Sequence, residues 1–140
     1  MLPCAAEAIV DFRILPSDSI ASVTAHVRAV IDDPLIEIGQ HGLANEPPPV
    51  SDIDSKGFQA LQTTVRQIFP DALPAPHLVI AATDSKHFTR IAENSYRFLP
   101  IRLGPDDTGR IHGTNERISL QNYSEVIRFY VQLLLNAAQS

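Results

Sequence analysis

Leu78-Val79-Ile80-Ala81-Ala82-Thr83-Asp84-Ser85 is the stretch on which the fold reading turns. Five apolar residues run without alternation, the pattern of a strand covered on both faces, as in a parallel sheet. Thr83-Asp84-Ser85 stands where such a strand ends and a short helix starts, reaching to about Ile91. Upstream, Asp54 or Ser55 caps a helix whose Phe58, Leu61, Val65, Ile68 and Phe69 form one stripe, closed by Pro70. Downstream, Tyr96 to Leu103 is a strand candidate interrupted by Pro100, and Gly104 to Ser119 is loop-rich. Asn122 with Glu125 makes a capping pair for a last helix carrying Val126, Ile127, Tyr130, Val131, Leu133, Leu134 and Leu135. That apolar arc is too broad for a helix half in water, so a large covering surface is expected.

Before this region lies Glu46-Pro47-Pro48-Pro49, a stiff connector that can join neither a helix nor a central strand. We place a domain boundary there, dividing the chain into 1–46 and 47–140. In the first part, Glu7 to Leu15 alternates, with Ala8, Val10, Phe12 and Ile14 on one side and Asp11 and Arg13 on the other. That is the period of a half-buried strand. Ser17 or Asp18 then caps a helix with Ile20, Val23, Val27, Val30 and Ile31 on one face, stopped by Asp32-Asp33-Pro34. Leu35 to His41 follows as a second strand. The expected class is α/β: an α+β piece followed by an α/β piece.

The chain has 140 residues, enough for one ordinary domain or pieces of two larger ones. With 44% apolar and 19% charged residues, disorder is a poor description. A net charge of −5 argues against general nucleic-acid binding, which needs a basic field. No apolar run approaches the roughly 20 residues that span a bilayer. The N-terminal residues have no basic segment of the kind that opens a secretory signal; compartment stays open. Cys4 alone makes neither an internal disulfide nor a cysteine zinc site. HExxH and CxxC patterns, serine-nucleophile elbows, phosphate-binding glycine loops and dinucleotide fingerprints are missing from the sequence.

Among the five histidines, His26 lies off its helix stripe, and His41 and His77 read as loop residues. His87 reads as either a packing residue or a supporting one. His112 differs, because Arg110-Ile111-His112-Gly113-Thr114-Asn115-Glu116-Arg117-Ile118 sets an imidazole in a glycine-containing loop ahead of an amide and a carboxylate. A metal-bound imidazole needs its other nitrogen held by an oxygen acceptor, which Asn115, Glu116 or a carbonyl can supply. One histidine is still no metal site, since zinc takes three or four protein ligands.

Three segments resemble one family. Ala6 to Ser19, preceded by Leu2-Pro3, looks like the strand and turn of the lid, or dimerisation, domain of M20-type zinc peptidases and aminoacylases. Ala81-Ala82-Thr83-Asp84-Ser85-Lys86-His87-Phe88 resembles that family's GGTD-x-R strand end, and His112-Gly113-Thr114-Asn115-Glu116 resembles its HGxNE loop. The order and spacing of all three fit, and the carboxypeptidase and N-acyl amino acid hydrolase branch matches best.

The resemblance implies 1–46 as the C-terminal half of a lid domain and 47–140 as the C-terminal part of a catalytic domain. It implies His112 as a ligand of a two-zinc centre, with Asn115 and Glu116 supporting it and Thr83 and Lys86 facing substrate. Lysine at position 86, where the family usually has arginine, keeps the charge but loses the planar fork that grips a carboxylate. The remaining ligands, the general base and the oxyanion histidine would all lie before Met1, so no catalytic residue is assigned in this chain. The expectation is therefore an incomplete zinc hydrolase that cuts a peptide or N-acyl amino acid bond beside a free carboxylate. It would be inactive alone and would bind at most one zinc weakly. The rival readings are a homodimerising or interaction module built on the lid, or a remnant without function. Exposed apolar faces would make the isolated chain poorly soluble or obligately oligomeric.

Overall fold

The computed structural model describes residues 5–81 and 83–139. The readings placed on Leu2-Pro3, Cys4 and Ala82 lie outside them. The described residues divide into two units, one within Met1–Val50 and Ile80–Ile91, the other within Ser51–Val79 and Ala92–Ser140.

The first unit is built around α1 (Ile20–Ile31). Its cap is Ser19 rather than Ser17 or Asp18. The Ser19 hydroxyl accepts from the Ser22 amide while the Ser22 hydroxyl accepts from the Ser19 amide, a reciprocal box satisfying two orphan donors. Asp18 is pulled back by a turn to the Leu15 carbonyl (2.9 Å), which moves the helix start one residue on. A Glu46 carboxylate oxygen takes the Ile20 amide at 3.1 Å, a negative group on the positive helix end. Asp32 ends α1 in the left-handed region, φ 46°, with its amide on the Arg28 carbonyl. No residue of α1 is buried: Ile20, Val23 and Val27 are half-covered, and Val30 and Ile31 are exposed.

The second unit pairs α2 (Lys56–Ile68) with α3 (Leu120–Ala137). Ser55 caps α2 through the Phe58 amide (3.1 Å), and the expected stripe delivers Val65 and Phe69 to the core. Ser119 caps α3 through the Asn122 amide (3.1 Å), so Asn122 is the third residue of the helix and not its cap. The most enclosed side chain of α3 is Phe129, 1% exposed, a residue absent from the expected arc. It meets Phe69 and Phe98 at ring-centroid distances of 6.1 and 5.2 Å, with Leu61, Ile68, Ala72 and Leu133 packed around the cluster. Burying such a ring contributes about 1.5–3 kcal/mol. A polar brace fixes the helices' register: Asn136 Nδ2 donates to Thr64 Oγ1 (2.8 Å) and Gln67 Oε1 (2.9 Å). The fully buried Thr64 hydroxyl donates to the Ala60 carbonyl at 2.7 Å.

Among the described residues there is no strand. Glu7–Leu15, Leu35–His41, Leu78–Ala81 and Tyr96–Leu103, expected as strands, run without a ladder. The reason is physical: a strand is stable only when a neighbour about 4.8 Å away takes its amides and carbonyls, and no described segment fills that place. The faces expected inside are correspondingly open, Val10 at 66% and Ile80 at 70% exposed. Asp11 and Arg13 form an ion pair at 3.3 Å, in solvent.

Candidate functional site

The loop that follows the Tyr96–Leu103 segment is organised by one carboxylate. Asp107 Oδ2 accepts from the Gly104 amide (2.7 Å) and Oδ1 from Arg110 NH1 (2.6 Å). A single 3₁₀ turn, Thr108–Arg110, follows, and the Arg110 carbonyl accepts the Gly113 amide at 2.8 Å. His112 is thereby held at φ 58° and Asn115 at φ 63°, left-handed conformations uncommon in residues other than glycine. Gly113 is needed for closeness: a Cβ there would lie 3.1 Å from the Gly109 carbonyl oxygen.

The His112 ring is exposed, and among the described residues it has no hydrogen-bond or ionic partner, from Asn115, Glu116 or elsewhere. As chemistry, an open imidazole fits one ligand position of a metal centre. Among the described residues, no three His, Cys, Asp or Glu side chains come together to hold an ion. No catalytic step through a metal follows from the described residues.

Thr83 and Lys86 share another turn, in the first unit. The short helix expected here is a single 3₁₀ turn, Asp84–His87, capped by Thr83. The Thr83 hydroxyl bonds the Ser85 amide (3.3 Å) and the Ser85 hydroxyl (2.6 Å), so its hydrogen-bonding capacity is largely used in holding the turn. The Lys86 amide donates to the Thr83 carbonyl, while its ammonium stands on an exposed side chain. His26, His41, His77 and His87 are all exposed, which leaves none of them a packing role.

Sequence reasoning missed the strongest electrostatic cluster. Arg102 forks onto both Asp71 oxygens (2.8 and 3.2 Å) and gives its Nε to Glu125 (2.9 Å), with its guanidinium 4.9 Å over the Phe69 ring. These bonds hold the Asp71 and Glu125 carboxyls below their ordinary values and raise Arg102 further above its own. Asn122 completes the arrangement, accepting from the Arg102 amide and donating to the Pro100 carbonyl and Glu125. The only sequence signal was Asn122 three residues before Glu125, whose physical meaning is a bond inside the helix. The cluster joins the segment after Pro100 to α3 and to the turn that follows α2.

Residues 6–136 match the family described as Peptidase family M20/M25/M40. The chain belongs to that family. It is 40% identical over 136 residues, 97% of its length, to "Probable carboxypeptidase S-like 2" of Dictyostelium discoideum, of which it covers 26%. It is 39% identical over 141 residues, 98% of its length, to "N-fatty-acyl-amino acid synthase/hydrolase PM20D1" of Homo sapiens, covering 28% of that protein. The Danio rerio "N-fatty-acyl-amino acid synthase/hydrolase PM20D1.1" is 36% identical over 98% of the chain and is covered to 27%. The chain thus spans about a quarter of the length of the curated relatives it matches. No solved structure matches it significantly. Among the described residues, no helix is long and apolar enough to cross a membrane.

Proposed function

We propose that this chain is the metal-donor loop and helical wall of a zinc-dependent hydrolase that cleaves a peptide or N-acyl amino acid amide beside a free carboxylate. Residues 1–46 are read as half of a lid domain and 47–140 as part of an α/β catalytic domain. His112 is one zinc ligand, Asn115 and Glu116 hold its environment, and Thr83 with Lys86 faces the substrate. One observation carries the reading: an unpartnered imidazole, held left-handed by its own loop, lies inside a family match running from residue 6 to residue 136. A complete zinc centre supplies Lewis-acid polarisation of the amide and an activated water. This chain's part is to present one nitrogen, and at Lys86 to draw a substrate carboxylate by charge without a bidentate fork.

The test replaces the matching quarter of the human relative with this chain and measures bound zinc and N-acyl amino acid hydrolysis. His112→Ala is expected to lower the rate by on the order of 100-fold or more and to reduce bound zinc, with helix content unchanged. Unchanged zinc and rate would remove His112 from the centre. Tight stoichiometric zinc with amidase activity in the 140-residue chain alone would overturn the reading that it supplies one donor to a larger centre.

A further inference from the structure

We infer that Asp107 is a positioning residue for the His112 imidazole, acting through Arg110; its functional meaning rests on the reading of His112 as a metal donor. From Gly104 to Gly113 the loop is linked in three-residue steps. The Asp107 amide donates to the Gly104 carbonyl (3.0 Å), the Arg110 amide to the Asp107 carbonyl (3.0 Å), and the Gly113 amide to the Arg110 carbonyl (2.8 Å). The Asp107 side chain locks the first two steps at once, through the Gly104 amide and the Arg110 guanidinium. Its pair with Arg110 is also better shielded than the solvent pair of Arg13 with Asp11: side-chain exposures are 32% and 33% against 58% and 80%.

The third step spans His112. A left-handed residue other than glycine costs roughly 1–2 kcal/mol and persists only where its surroundings over-determine it. Here those surroundings are the Arg110 carbonyl on one side and the tight Gly113–Gly109 approach on the other. Both depend on Arg110 being held, and Asp107 holds it. A metal ligand is useful only when kept within about 0.5 Å of its place, and among the described residues no side chain bonds the ring directly. Its direction is therefore set through the backbone, by a carboxylate five positions earlier in the chain.

The experiment is NMR on the labelled 140-residue chain. Wild type should show at His112 the strong cross-peak between its own amide and α protons that marks a positive φ. Asp107→Ala should abolish it while amide-exchange protection in α2 and α3 is unchanged. Asp107→Asn, which keeps an acceptor for Gly104 but loses the charge facing Arg110, should retain part of it. Persistence of the signature in either Asp107→Ala or Arg110→Ala overturns the inference. So does lost helix protection with the His112 signature intact, which would mark a purely structural acid. Zinc chloride added to the same samples tests the donor reading separately. If the His112 ring signals ignore zinc but Asp107→Ala still collapses the turn, the positioning stands and the metal role falls.

Discussion

The helix of the first unit and the helix pair of the second carry the same local instructions, yet among the described residues only the pair has a core. Both α1 and α2 start at a serine cap and carry one apolar stripe. In α2 that stripe meets α3 and encloses Val65 and Phe69, whereas in α1 no residue is buried. An amphipathic pattern therefore states what a helix can bury, while burial needs a second surface. Hydrogen exchange offers the direct comparison: amides of α2 and α3 should be protected, those of α1 close to freely exchanging.

The largest effect expected is at Phe129. Phe129→Ala should cost about 3–5 kcal/mol by removing the ring that Phe69 and Phe98 pack against. Val27→Ala in α1 should cost under about 1 kcal/mol. Denaturant unfolding followed by circular dichroism measures both, and equal losses would break the contrast. Next comes Asn122, whose amide serves three partners at the start of α3. Asn122→Ala should cost about 1–3 kcal/mol, because the Arg102 amide and Pro100 carbonyl lose their partner.

The smallest effect should be pH dependence confined to the second unit. Asp71 and Glu125 are held below their ordinary values of 3.8 and 4.5 by Arg102. Their contribution is thus present above those values and is lost as pH falls through the lower values of the folded state. Arg102 stays charged throughout and adds no window. Unfolding midpoints taken downward from about pH 5 should show this acid loss in wild type and a flatter limb in Arg102→Met. High salt should also shrink it, since Arg102 and Asp71 are solvent-accessible.

The candidate site divides in a similar way. The His112-Gly113-Thr114-Asn115-Glu116 segment could be singled out because its residue types and order are local, and the family match runs through it. The clamp that shapes it was not, since Asp107 and Arg110 look like ordinary loop charges until their bonds are seen. Thr83 was expected toward substrate, and its hydroxyl is engaged in capping its own turn. Phe129 was passed over for the opposite reason: in an arc that broad, periodicity does not say which side a partner will take.

What the residues alone determined is what acts over a few positions. Serine oxygens reach amides three residues on, prolines withhold a donor, and apolar spacing makes a stripe, so three helices could be read directly. The caps of α1 and α3, however, are Ser19 and Ser119 and not the residues expected. Tertiary structure alone decided which stripe is covered, which aromatic becomes the anchor, and that Arg102 joins Asp71 to Glu125 across 54 positions of sequence. It also left the strand-like segments without ladders, because pairing energy belongs to two segments together and periodicity describes only one.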